Sequence, residues 1–382
     1  MKRVGIITIN DYNNYGNRLQ NYAMHEVLKS LGCEVQTIRN TPLKHNNTYR
    51  KDVYYVINRI KEMSSTELIE AILKRTVYRF HVTKNKKIIN KRIEAFKKFT
   101  YKNIKETSYL VNVDTIPFDL EKQFDYFIIG SDQVWNPVFR HGYSLDFCTF
   151  APIYKRIAYA PSFGISTIPD KYKEKYKNWL YEIEHLSVRE EAGAQIIKEL
   201  TGKETPVLID PTLILTREEW NSIAIKANNK PAGNYILTYF LGGVTKENKN
   251  RIRYIAKNKG FEIVNLACLK DRKRYNADPS EFIDYVASAS VLFTDSFHGA
   301  IYSIIFEKPF VVFDRIGKIP TMGSRIDTLL SKFKLEDRKW NNIKNTNAIF
   351  NVDFSHIPPI LDSERKKALN YLKNALDIKD GD

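Results

Sequence analysis

This sequence predicts an α/β fold in which two doubly wound halves face each other across a cleft, and three observations carry the prediction. Short apolar runs alternate with amphipathic stretches of helical spacing, the pattern of parallel strands joined by crossover helices. The alternation occurs twice, on either side of a polar stretch at 228–233 that contains Pro231 and Gly233 and reads as a loop or linker. With 382 residues the chain exceeds one ordinary α/β core and suits two domains, given a common domain size of roughly 100 to 150 residues.

The first series opens with a strand at Val4 to Ile9, a polar loop at 10–17, and a helix carrying Leu19, Ala23, Val27, Leu28 and Leu31 that stops at Gly32. Val35 to Ile38 completes a βαβ unit. Further strands are expected at Tyr126–Ile129, Ile157–Ala160 and Val207–Ile209, and the domain closes near Asp210-Pro211. The second series starts at Tyr235–Leu241 and continues with a helix at 247–259 and a strand at Phe261–Leu266. A helix from Pro279 has Asp278 as cap, proline at its first position and Glu281 three residues after the cap. A strand at Val291–Thr294, a helix from about Ala300, a strand at Phe310–Phe313 and a last amphipathic helix at 363–377 follow. The expected domains are 1–212, with a basic helical insertion at about 41–110, then 213–362, with residues 363–382 packing back on the first domain.

The formal charge of +16 is concentrated in that insertion, where 17 Lys or Arg stand against 6 Asp or Glu between Thr41 and Leu110. Two amphipathic patterns, Val53–Ile60 and Leu68–Leu73, place cations beside helices. Such a surface suits an anionic membrane or an anionic acceptor, and equally a solvated face. Nucleic acid is not expected as a partner, because no helix-turn-helix, zinc-finger or RNA-binding signature is present. The opening apolar run is too short for a signal peptide and no stretch is long enough to span a membrane, so a cytoplasmic protein with at most peripheral contact at the inner membrane face is expected. Cys33, Cys148 and Cys268 lack zinc-ligand spacing and read as ordinary buried thiols of a reducing compartment.

In open α/β sheets ligands bind beyond the carboxyl ends of the strands. Three such loops are unusual: 10–17, which contains Gly16 and Asn17; 130–137, which contains Ser131, Asp132 and Trp135; and 295–299, which contains Ser296, Phe297, His298 and Gly299. His298 stands between a strand and a helix start, where backbone amides and the helix dipole favour an anion and an imidazole can exchange protons with it. The alternative is a histidine that caps its own helix or sits satisfied in the core. Arg189 lies at another passage into a helix and suits fork-like binding of a carboxylate or phosphate, or else a surface ion pair with a neighbouring glutamate. Lys318 and Arg325 follow a strand and can meet the same anion. No Walker loop, His-Glu-x-x-His or complete Gly-x-Gly-x-x-Gly occurs, and the one Asp-x-Asp, Asp380 to Asp382, is at the chain end.

Five pieces together resemble the polysaccharide pyruvyl transferase family: Tyr15-Gly16-Asn17, Gly130-Ser131-Asp132-Gln133-Val134-Trp135-Asn136-Pro137, Ser187-Val188-Arg189-Glu190, Ile209-Asp210-Pro211-Thr212 and Thr294-Asp295-Ser296-Phe297-His298-Gly299. The resemblance spans most of the chain and is weakest at 41–110. It implies two Rossmann-like domains of the glycosyltransferase type B kind, phosphoenolpyruvate as co-substrate in the cleft, a pyruvate ketal on a sugar as product, and no metal or cofactor. It implies further that His298 is the catalytic histidine and Arg189 a donor-binding arginine, with Lys318 a weaker match to a basic donor residue. The glycan acceptor is then expected to be lipid-linked. Two other functions fit the same pattern: a glycosyltransferase using a nucleotide sugar, and a non-catalytic scaffold at a membrane surface. The acceptor sugar and the oligomeric state have no readable code.

Overall fold

Strands β1 (Arg3–Ile7), β2 (Glu34–Thr37), β3 (Tyr126–Ile129) and β4 (Arg156–Ala158) form one parallel sheet in the order β2-β1-β3-β4. Strands β5 (Tyr235–Tyr239), β6 (Glu262–Asn265), β7 (Val291–Thr294) and β8 (Phe310–Val312) form a second in the order β6-β5-β7-β8. The computed structural model describes residues 1–41, 85–316 and 323–379. Both sheets share one topology, so each reverses its winding between its first and third strands. Loops after β1, β3, β5 and β7 therefore flank the two switch points, where open α/β sheets bind ligands.

The strands form where expected because they are buried runs of branched and aromatic residues: Val4, Ile6 and Ile7 in β1, Phe127, Ile128 and Ile129 in β3, and all of β7. The helix Pro279–Ser288 starts as its sequence dictates, with Asp278 accepting from Glu281 N and Glu281 reaching back to Asp278 N.

Four expectations are corrected. Cys33 and Cys148 are buried, but Cys268 is exposed, because it falls in the turn region that follows β6. Val207–Ile209 is not a sheet strand; Val207 makes a single parallel bridge to Val188, and the segment is extended because its apolar side chains pack into the lobe. The helix expected from Ala300 begins at Phe297, capped by Ser296. The last helix runs Ile357–Ala375 rather than 363–377, since Pro358 and Pro359 fall in its first turn, where a missing N–H costs nothing. Residues 85–103 are helical; the patterns at Val53–Ile60 and Leu68–Leu73 lie outside the described residues.

The helix Tyr15–Ser30 leads from β1 into the interface between the lobes. Tyr15 stacks on Phe282 with centroids 4.4 Å apart, and its hydroxyl donates to Ala277 O at 2.8 Å. Arg92, from the helical stretch 85–103, donates to Tyr15 Oη at 2.8 Å and to Tyr275 O at 2.6 Å, joining both lobes with one guanidinium. One apolar cluster consequently runs from Val4 and Leu19 in the first lobe through Phe282 and Ile301 in the second. At the far end, Arg365 donates to Leu213 O at 2.9 Å and Leu215 O at 2.8 Å, and Tyr371 donates to Ala158 O at 2.8 Å, so the last helix is tied both to the chain just past residue 212 and to the end of β4. No helix among the described residues is long and apolar enough to cross a membrane.

Candidate active site

Ser296 accepts from Gly299 N at 3.3 Å and so starts the helix Phe297–Ile305 directly after β7. His298 is thereby held in the first turn, where the leading backbone amides have no intrahelical partner. Its ring fills the space over Gly16 of the opposite lobe: a Cβ at Gly16 would lie 2.1 Å from His298 Nδ1 and 2.3 Å from Cγ. Only glycine permits this approach. Gly299 is limited in the same way inside its own lobe, where a Cβ would come within 2.7 Å of Thr294 Oγ1.

Behind the imidazole lies a buried charge cluster. His298 Nε2 is 3.6 Å from Asp210 Oδ2, too far for a hydrogen bond, and has no hydrogen-bond partner among the described residues. Asp210 is the cap of the helix Pro211–Ile214, accepting from Thr212 N at 3.0 Å through Oδ1, which leaves Oδ2 for the site. Arg189 Nη1 donates to that Oδ2 at 2.5 Å, while Nη2 stands 3.5 Å from Asp132 Oδ1. Ser131 Oγ also reaches Asp210 Oδ2, at 3.2 Å. Asp132 sits at φ 67°, in the left-handed region that costs a non-glycine residue energy, and its carboxylate accepts from Asn17 Nδ2 at 3.0 Å.

Burial opposes ionisation of both carboxylates, but neighbouring cations outweigh it. Asp132 is held below the usual carboxylate range by Arg189, then His298, the Asn17 amide and Arg325. Asp210 is pushed further down by His298 and Arg189. Burial, with the charge of Arg189, pulls the Arg325 guanidinium down to about 10, which still leaves it cationic at neutral pH. The Phe297 ring lies between the two arginines, 4.5 Å from Arg189 Cζ and 5.6 Å from Arg325 Cζ.

In front of this cluster is an interlobe cavity of about 680 Å³. The first lobe lines it with Asn10, Asp11, Tyr12, Asn17, Arg39, Asn40, Asp132 and Arg140; the second contributes Leu241, Ser296, Phe297, His298, Arg315 and Arg325. Burial raises Asp11 above the usual range, with Asp132 adding to the effect. Asp295 ties the loop after β5 to that after β7, accepting from Leu241 N and Gly242 N at 2.7 Å each.

Of the residues singled out from sequence, Asn17, Asp132, Ser296, Phe297, His298 and Arg325 line the cavity. Gly16, Ser131 and Arg189 lie behind that wall. Arg189 is not in a surface pair with a glutamate; its side chain is 1% exposed and clamps two aspartates. His298 does not cap its own helix, which Ser296 does. Trp135, expected on the cleft, is a core residue: its indole N–H donates to Asp146 O at 3.0 Å and its ring stacks on Phe147. Gly299 packs against Thr294 rather than the cavity. Lys318 lies outside the described residues.

Sequence reasoning missed Asp210, Arg39, Arg140 and Arg315 as site residues. Asp210 carried a signal, since Asp-Pro-Thr is a helix-cap pattern at a strand-like end. The arginines carried none; Arg140 is positioned by a buried pair with Asp146, which nothing in their spacing announces. Among the described residues no group of three or more His, Cys, Asp or Glu side chains is arranged to hold a metal ion.

Two doubly wound lobes with a histidine, two carboxylates and several arginines in the cleft between them define the class: a two-lobed α/β protein with a charged interlobe site. The chain belongs to the polysaccharide pyruvyl transferase family, whose model matches residues 14–316, and is by that membership a transferase. Among curated proteins no sequence matches the chain. Solved structures similar to it include a putative UDP-N-acetylglucosamine 2-epimerase from Listeria monocytogenes, at 10% identity and a TM-score of 0.48 over 98% of this chain and 95% of that one. A UDP-GlcNAc 2-epimerase from Neisseria meningitidis gives 10% and 0.47 over 99% and 100%. The E. coli ADP-heptose heptosyltransferase II gives 9% and 0.35 over 96% and 99%. At these values none bears on what this chain binds.

Proposed function

We propose that this protein moves the enolpyruvyl unit of phosphoenolpyruvate onto a sugar of a cell-surface polysaccharide or its lipid-linked precursor, forming a pyruvate ketal and releasing phosphate. The observation that carries the reading is His298 at a helix N-terminus, on the wall of the cavity, with Asp210 behind it and Arg325 beside it. Phosphoenolpyruvate presents a carboxylate and a phosphate, which call for fixed cations and helix amides. Arg325, Arg315 and the first turn of the helix Phe297–Ile305 supply them.

A proton is added to the methylene carbon, leaving the adjacent carbon electrophilic. One sugar hydroxyl attacks that carbon and loses its proton. Phosphate departs, and a second hydroxyl of the same sugar closes the ketal and loses its own. Of the two hydroxyl protons, one is matched by the new methyl C–H and the other leaves with phosphate. His298 exchanges protons with the reacting atoms. Asp210 and Asp132, both held below the usual carboxylate range, place fixed negative charge behind the ring. In this scheme Arg189 sets the charge of the site from behind and does not itself grip the donor.

Calorimetric titration tests the donor site. Phosphoenolpyruvate is expected to bind the parent, and Arg325→Gln to weaken it roughly tenfold to a hundredfold, the value of one charge-assisted hydrogen bond. A UDP-sugar in parallel is expected to give no heat. Binding of the UDP-sugar with no response to phosphoenolpyruvate would instead make this a nucleotide-sugar enzyme.

A further inference from the structure

A second concavity, an open groove of about 960 Å³, runs beside the cavity and shares Tyr12 and Arg39 with it. Lys97, Lys102 and Lys105, from the helical stretch 85–103 and the segment after it, form the far wall. The two volumes together greatly exceed what a three-carbon enol phosphate fills, so the groove is free for the other substrate. Its charge is one-sided. The one carboxylate among its described lining residues, Glu106, is already taken, accepting from Arg18 Nη1 at 2.9 Å and from Tyr12 Oη at 2.6 Å. Lys105 pairs with exposed Glu34, a contact that solvent screens. Lys97 reaches no carboxylate among the described residues; its ammonium lies 5.9 Å from the centre of the Tyr12 ring. Lys102 is exposed and has no carboxylate partner among them either. Tyr101, which is 93% exposed, offers a flat face of the kind that sugar rings cover.

We propose that this groove binds an acidic glycan: the acceptor carries carboxylate or phosphate groups on sugars neighbouring the one that is modified, and these lie along Arg39, Lys97 and Lys102 while the reacting sugar reaches past Tyr12 to His298. The assignment of the groove to the acceptor rests on the function proposed above; its preference for an anionic saccharide rests on the groove alone. Steering by such a one-signed wall also makes acceptor capture depend on ionic strength.

The test uses end-labelled hexagalacturonate as the acidic probe and maltohexaose as the neutral one, followed by fluorescence anisotropy with the full chain. Hexagalacturonate is expected to bind at least about tenfold more tightly than maltohexaose, and the Lys97→Ala/Lys102→Ala double variant to lose about tenfold of that affinity, the combined value of two exposed charge contacts. Both lysines are exposed, and calorimetry with phosphoenolpyruvate on the same variant should match the parent, which also shows that the fold is intact. Equal affinity for the two saccharides, or unchanged hexagalacturonate binding by the variant, overturns the proposal. A third arm uses phosphatidylglycerol vesicles. Vesicle binding that needs Lys97 and Lys102, with no binding of hexagalacturonate, also overturns it and assigns the surface to a membrane. If hexagalacturonate binds as expected while phosphoenolpyruvate gives no heat with the parent, the donor reading fails and the groove's preference for an acidic saccharide stands.

Discussion

Gly16→Ala is expected to lower turnover by on the order of a hundredfold while leaving the protein folded, the cost of displacing a reacting group by about an ångström. The backbone at Gly16 is helical and would welcome alanine, which is favoured over glycine by about 1 kcal/mol in a helix. Only the neighbour objects. The new methyl would sit 2.1 Å from His298 Nδ1 and 2.8 Å from its Cβ, so either the imidazole leaves its place or the two lobes part. The distinguishing measurement is a double-mutant cycle by urea unfolding. Gly16→Ala should destabilise the parent but be neutral or stabilising on a His298→Gly background, where both the ring and the Cβ that it meets are gone. Turnover stays low in both cases. Equal stability effects in the two backgrounds would mean that the contact between Gly16 and His298 does not exist.

Arg189→Met is expected to cost about 3 to 5 kcal/mol of stability, because it strands two buried carboxylates and leaves the packing on Phe297 nearly unchanged. The sign of its pH dependence follows from the lowered values of Asp132 and Asp210. A carboxylate whose folded value is depressed contributes stability that is present above its unfolded value, about 3.9, and is lost as pH falls through the folded one. Without Arg189 a large part of the charge opposing burial is gone and both carboxylates hold protons more tightly than in the parent, so the variant loses less on acidification. The gap between parent and variant should therefore narrow as the pH is lowered from 7 toward 3. A gap of constant size across that range would assign the cost to packing instead of charge.

The alternation of strands and helices was readable because each strand is a buried apolar run between polar turns, as Tyr126–Ile129 and Val291–Thr294 show. Three-residue runs are where this fails. Val207–Ile209 has the composition of a strand, yet only its bridge to Val188 is sheet-like, since an extended core segment and a strand bury the same side chains. The start of the helix Phe297–Ile305 is displaced from its expected position because every residue in it is buried, so no polar face marks its register. His298 could be found from its place after a strand. Its contacts with Gly16 and Asp210 could not, because they depend on how the lobes close and join residues far apart in the chain. Trp135 shows the converse error: it belongs to a motif whose other members reach the site, but its own side chain points into the core.

Transfer from phosphoenolpyruvate at His298 is tested most directly by following phosphate release from phosphoenolpyruvate with phosphorus NMR. The protein is incubated with a panel of acidic and neutral oligosaccharides, alongside His298→Ala and parallel reactions containing a UDP-sugar. Phosphate that appears only with an acceptor, together with an acid-labile pyruvate on that acceptor and neither with His298→Ala, is the predicted result. Sugar transfer from the nucleotide with phosphoenolpyruvate left intact, or equal phosphate release by His298→Ala, would contradict it.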